Sequence, residues 1–226
     1  MINTRQVHLH FIFLVIVFHF LFPGNAKAKL KRAKKENKVE FLFIEWRDRE
    51  NQLLLGHHEG AFVINNNTAV QFSSNPGFWN FVPLSTTFPA SKIIAGNYRS
   101  LQYFDFKNQQ FVPTREVPDF IESSRFVTID ENDHIWVSHP YHGVYELEQK
   151  NNGSFSITTY TDQHGLPSIL NNHVYKVKNE IVIATENGVY TFNRGSKKFE
   201  PSAFNKKILG DQSISYLKED STGNNW

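Results

Sequence analysis

A short unit recurs along this chain at nearly constant spacing, and that recurrence limits the fold more than any other feature. Its clearest copy runs from Phe126 to Leu147. Phe126 to Ile129 is aromatic and β-branched, which suits a pleated, half-buried strand. Asp130-Glu131-Asn132-Asp133 follows, with side chains that bond their own backbone and so favour a turn. Ile135-Trp136-Val137 resumes the strand pattern, Gly143 supplies a second reversal, and Val144 to Leu147 runs back out. The second and third strands recur at Leu53–Ile64, at Ile181–Phe192, and in a weaker copy at Lys92–Phe104 with Ser100 at the glycine position.

The centres of the second strands fall at Leu54, Ile94, Trp136 and Val182, and a partial last copy ends at Trp226. The intervals are 40, 42, 46 and 44 residues. A repeat of roughly 40–50 residues with four short strands per unit marks a β-propeller blade. The expected class is therefore all-β: a propeller of four-stranded antiparallel blades, about four and a half of them. Copies kept in register over that length favour a propeller over a β-sandwich or β-solenoid with look-alike hairpins. Blade one is expected over Phe41–Phe72, blade two over Phe78–Val112, blade three over Arg125–Tyr160 and blade four over His173–Phe199, with blade five beginning at Ser213. Pro76, Pro83 and Pro89 cannot donate to a ladder and belong at edges or bends of blade two.

Asp130, Ile135-Trp136-Val137 and Gly143-Val144-Tyr145, followed by the loop Gly165-Leu166-Pro167-Ser168, resemble the two-component-regulator propeller repeat. The resemblance covers about Leu53 to Trp226. It implies a periplasmic sensor propeller of a bacterial transcriptional regulator, with further blades, a tyrosine-rich sandwich, a membrane helix and an output domain in the parent protein. On that reading the chain is an N-terminal fragment, tethered to the membrane through its parent. Residues 29–226 alone are then expected to be marginal, with apolar blade faces exposed near Phe41–Phe43 and Ile214–Tyr216.

The N-terminus reads as a leader rather than as fold. Leu9 to Phe22 is apolar apart from His10 and His19, Pro23-Gly24 ends the run, and Ala26-Lys27-Ala28 suits signal peptidase. The run is short for a membrane span. Residues 29–38 form a basic linker, and basic residues after an apolar run also fit a signal anchor. Both forms, 1–28 as cleaved signal or as anchor, stay open; the resemblance implies export. The chain carries +2 overall, of which residues 27–38 contribute +6 and Arg5 +1, leaving −5 for residues 39–226. A mildly acidic body argues against nucleic acid, which needs a basic face. With no cysteine, disulfides, thiol catalysis and cysteine-held zinc are excluded.

In an antiparallel meander, alternate turns share one end of each blade. The turns between second and third strands therefore gather His57-His58-Glu59, Asn97-Tyr98-Arg99, His139-Pro140-Tyr141-His142 and Thr185-Glu186-Asn187 at the end that also holds the blade-to-blade connections. Binding residues concentrate on such loops. Tyr98, Arg99, His139, Tyr141, His142 and Asn187 are the candidate ligand-binding residues, suited to an oligosaccharide through ring stacking and hydroxyl hydrogen bonds. No catalytic set, phosphate loop or cofactor motif stands out. The histidines lack an acidic companion at ligand spacing, so no metal is expected. A carbohydrate-active propeller enzyme and a protein-interaction scaffold are the alternatives to a sensor.

Overall fold

The computed structural model describes residues 43–47, 53–65, 68–84 and 92–219, all within one compact unit, residues 37–226. The expected leader and basic linker lie outside the described residues, as do residues 220–226 of the fifth repeat. Four antiparallel four-stranded sheets follow one another in chain order, each a simple meander. Blade one holds β1 (Phe43–Arg47), β2 (Leu53–His57), β3 (Gly60–Asn65) and β4 (Thr68–Ser73). Blade two holds β5 (Phe81–Pro83), β6 (Lys92–Gly96), β7 (Leu101–Lys107) and β8 (Gln110–Glu116). Blade three holds β9 (Phe126–Ile129), β10 (Ile135–His139), β11 (Gly143–Gln149) and β12 (Phe155–Tyr160). Blade four holds β13 (His173–Val177), β14 (Glu180–Thr185), β15 (Gly188–Asn193) and β16 (Lys198–Pro201). A two-turn helix, α1 (Ala203–Leu209), follows. The fold is a β-propeller, as the repeat period predicts.

Burial peaks in the second strands and is least in the fourth. The second strands are almost wholly buried, because both of their faces meet a neighbouring blade. The fourth strands are mostly exposed. The apolar core is accordingly divided into wedges between blades. Leu54, Phe78, Ile93 and Phe104 fill the first; Ile94, Phe120, Val127 and Leu147 the second; Trp136, Tyr160, Ile183 and Phe199 the third. Pro83 pairs with Ile93 as the last residue of a three-residue strand, an end position that needs no further donor.

The last described segment continues the repeat. The offset that relates Asp130 to Asp220 also relates Ser124 to Ile214 and Val127 to Leu217. The amide of Ser124 donates to the carbonyl of Asn97, and that of Ile214 donates to Thr185 in the equivalent turn. Val127 is buried between blades two and three, and Leu217 is buried against Val177, Val182 and Ala184 of blade four. Residues 214–219 thus occupy the place of a fifth first strand. Tyr216 keeps half of its surface exposed (54%), while Ile214 packs against the blade. The expected free face at Ile214–Tyr216 is therefore only partly free; the one near Phe41–Phe43 involves side chains outside the described residues.

Candidate functional site

Three residues beyond the centre of each second strand stand His57, Asn97, His139 and Thr185. All four do the same work. The side chain of each accepts the backbone N–H two residues on: Glu59 to His57 Nδ1 at 3.0 Å, Arg99 to Asn97 Oδ1 at 2.8 Å, Tyr141 to His139 Nδ1 at 3.0 Å and Asn187 to Thr185 Oγ1 at 3.0 Å. Asn97 accepts a second N–H from Ser100 at 2.9 Å, and the amide of Asn97 itself donates to the Ser100 carbonyl. That tighter loop explains how blade two turns without the positive-φ glycine found at Gly60, Gly143 and Gly188. The connection to the next blade then bonds back to each turn: Gly77 to His57 and His58, Ser124 to Asn97, Asn171 to Pro140, Ile214 to Thr185.

On blade three this turn gathers a polar cluster. The rings of His139 and His142 stack in parallel with centroids 4.0 Å apart. Glu122, from the connection between β8 and β9, places Oε2 3.4 Å from His139 Nε2 and 3.5 Å from His142 Nδ1. Tyr145 O–H reaches the same group, 3.5 Å from His142 Nδ1, and hydrogen-bonds Glu122. Burial and the Glu122 carboxylate push the Tyr145 phenol up to about 12. Burial, and then the neighbouring His142, hold His139 below the ordinary imidazole value against the opposing pull of Glu122. Because Nδ1 of His139 accepts the Tyr141 amide, its proton sits on Nε2, facing Glu122.

Glu122, His139 and His142 each bring a possible ligand atom within 4.8 Å of the others, so an acidic companion does stand beside the histidines in space although none stands beside them in sequence. A metal ion on His139 Nε2 would need the proton moved to Nδ1, against the Tyr141 N–H. Ligating histidines instead give that nitrogen an acceptor. The cluster is thus built as a hydrogen-bonded group with a fixed tautomer.

The sequence-derived candidates divide into three places. His139 is buried, whereas Tyr141 (66% exposed) and His142 stand on the surface of the cluster just described. Tyr98 packs on Trp79 and His58, with centroids 6.0 and 6.4 Å away, and Arg99 is exposed beside it. Asn187 is exposed in the blade-four turn, next to Glu186, which accepts a hydrogen bond from Asn171. Sequence reasoning missed Glu122 and Tyr145. Glu122 lies in an irregular connection where no period operates, and Tyr145 reads equally well as core.

At the opposite end, the repeat signature explains itself. Asp130 is buried; its Oδ1 accepts the amides of Asn132 and His134, and its Oδ2 accepts Trp136 Nε1 at 2.8 Å and Arg194 Nη2 at 3.0 Å. Arg194 belongs to the next blade, so the Asp and Trp of the motif are a hydrogen-bonded unit that ties blade three to blade four. Burial raises the Asp130 carboxyl, but these four bonds outweigh it and leave the group below the ordinary aspartate value. Nearby, Glu146 accepts Tyr160 O–H at 2.7 Å and lies 2.7 Å from His134 Nδ1. Asp130, His134 and Glu146 also approach one another at ligand distance, yet both oxygens of Asp130 already have two protein donors each. On this side a cleft of about 1030 Å³ runs between blades two and three, past Tyr103, Arg115, Ile129 and Phe155.

No family model matches the chain, nor does any curated protein sequence. Solved structures do. The extracellular domains of two hybrid two-component systems of B. thetaiotaomicron, BT4673 and BT3049, superpose with TM-scores of 0.60 and 0.57 at 18% identity, over 80% of this chain. The chain spans only about a quarter of the length of those domains, 24% and 25%. The WD40 propeller of Doa1 and a streptogramin B lyase also superpose, at TM-scores of 0.55 and 0.54 with 12% and 11% identity. At such identities the likeness establishes the propeller fold. Among the described residues, no helix is long and apolar enough to cross a membrane.

Proposed function

We propose that the chain is the ligand-sensing propeller of a bacterial signal-transduction regulator, exported to the periplasm and non-enzymatic in itself. The observation that carries this reading is the end of the propeller bearing the capped turns. Each turn is braced by a side-chain acceptor and by the following connection, and on that braced frame Tyr98, Arg99, Tyr141, His142 and Asn187 are exposed. A rigid frame carrying exposed aromatic and polar side chains is what recognition requires. The likeness to extracellular domains of hybrid two-component systems supports the same reading. An oligosaccharide fits the chemistry of the surface: tyrosine faces for ring stacking, with imidazole, guanidinium and amide groups for hydroxyls. The output would then come from remaining blades and downstream domains of a parent chain anchored in the inner membrane.

The alternative is a carbohydrate-active propeller enzyme, since propellers also serve as enzymes. The His139–Glu122 pair speaks against it. The imidazole is committed through Nδ1 to its own turn and faces a carboxylate, which leaves it no free lone pair to act as a base. A glycan array on the chain, paired with a reducing-sugar assay on every glycan that binds, tests the proposal. Binding without release of reducing ends is expected. Turnover of a bound glycan would favour the enzyme.

A further inference from the structure

The described residues leave nine large apolar side chains exposed, and six of them stand at the end that carries the capped turns: Tyr98, Ile121, Tyr141, Ile169, Leu170 and Ile208. Four of the six surround one turn. Tyr141 (66% exposed) belongs to the blade-three turn itself. The connections that flank this turn bring Ile121 (83%) to one side of it, and Ile169 (39%) and Leu170 (46%) to the other. Each connection is fastened to the turn. Glu122, next to Ile121, reaches His139 and His142. On the other side the amide of Gly143 donates to the Ile169 carbonyl at 2.9 Å, and that of Asn171 to the Pro140 carbonyl at 3.3 Å. The Leu170 amide is in turn capped by Ser168 Oγ at 3.0 Å. The four apolar side chains therefore share one braced stretch of surface, open to solvent.

The charge around them has one sign. The two connections, the turn they flank and the blade-four turn carry Asp119, Glu122, Asp162 and Glu186. Asn171 Nδ2 donates to Glu186 at 2.8 Å, which sets that carboxylate near Leu170. These segments hold one basic residue, Arg125, and its guanidinium lies over the rings of Trp79 and Phe126, 5.0 and 5.7 Å from their centroids. The other basic side chains of this end, Arg99, Lys206 and Lys207, stand on the blade-two turn and on α1. Aliphatic side chains offer nothing to sugar hydroxyls, and an exposed group of them marks a surface for protein partners. Four carboxylates repel nucleic acid and an anionic lipid surface. They also repel a second copy of this chain, because a two-fold pair sets the same patch against itself. A polypeptide segment that intersperses large apolar side chains with lysine or arginine complements both features.

We propose that the surface around the blade-three turn, with Ile121, Tyr141, Ile169 and Leu170 at its centre and the four carboxylates around them, docks a basic, apolar polypeptide segment. The segment's apolar side chains cover the central four, and its cationic groups meet the carboxylates. This interaction goes beyond the sensing reading and does not depend on it. The docking surface shares Tyr141 and His142 with the candidate glycan face, whereas Tyr98 and Arg99 belong to the blade-two turn.

The test is selection of a displayed random dodecapeptide library on the full chain, followed by titration calorimetry of the enriched peptides. Peptides that combine lysine or arginine with large apolar residues are expected. Their affinity should fall roughly tenfold or more against Tyr141→Ser/Leu170→Ser, and again against Asp162→Lys/Glu186→Lys. Ile208→Ser, which removes an exposed apolar side chain from α1 outside the surface, should leave it unchanged. All five replaced residues are exposed, so melting temperatures close to that of the parent chain are expected. Should a double variant fail to fold, Ile121→Ser serves instead, and it should weaken the same peptides roughly threefold or more. A library that yields no such peptide overturns the docking surface. So does affinity that survives either folded double variant, or Ile121→Ser in its place, or that falls equally in Ile208→Ser. None of these results bears on the glycan array, which tests sensing separately.

Discussion

Asp130 and His139 show how much a single residue in this repeat can carry. Asp130 receives four hydrogen bonds, two of them from side chains that anchor different elements. Bonds to a charged group are worth about 1.5–3 kcal/mol each in context, and Asp130→Ala leaves Trp136 Nε1–H buried without an acceptor. That substitution should lower the unfolding free energy by about 3 kcal/mol in denaturant titrations. The sign of its pH dependence follows from its depressed carboxyl. The stabilisation is present above the ordinary aspartate value near 3.8 and is lost as pH falls through the lower folded-state value. His139 acts in a different window. Its imidazole is held neutral in the fold below the ordinary 6.5, so the unfolded chain takes up its proton first on acidification. Stability should therefore fall as pH drops below about 6.5, and His139→Asn should flatten the melting temperature against pH in that range. The same variant should cost little at pH 8, because Asn97 performs the same turn cap in blade two; His139→Ala should cost about 1 kcal/mol there.

At the scale of the element, the strands were plain in the sequence because alternation and β-branched runs report them, and their centres fall where the repeat intervals place them. The turns were less plain. Glycine at Gly60, Gly143 and Gly188 marked three of them, each with positive φ, but the acceptor position at His57, Asn97, His139 and Thr185 was invisible. Imidazole, amide and hydroxyl do the same work there, so no one residue type marks all four turns. The Asp and Trp of the motif were visible as a turn former and a core residue, yet their bond to each other and to Arg194 was not, since Arg194 lies 64 positions away. Glu122 was hidden for the same reason: its position is set by the packing of an irregular connection. Gly143 gives the sharpest test of an element. Its φ is 84°, and a Cβ there would stand 2.2 Å from the Tyr160 carbonyl oxygen. Gly143→Ala should destabilise by on the order of 3 kcal/mol in chemical denaturation, through backbone strain and the forced shift of β12.

Across the whole molecule, stability resides in wedges between blades, because no single sheet buries both of its faces alone. The wedge beyond blade four is closed by Leu217, with Leu209 and Ile214 beside it. Leu217→Ala should cost about 2–4 kcal/mol, and hydrogen exchange should then quicken in blade four before blade two. The molecule also has two unlike ends. One carries the inter-blade tie of Asp130, Trp136 and Arg194; the other carries braced turns with exposed aromatic, basic and amide side chains. The proposed ligand recognition lies at the second end. Hydrogen-exchange footprinting of the chain, with and without a glycan found by array, tests that most directly. Protection confined to the turns at 57–60, 97–100, 139–143 and 185–188, with the connections that brace them, is the predicted result. Protection centred instead on 130–134, 149–154 and 193–198 would contradict it.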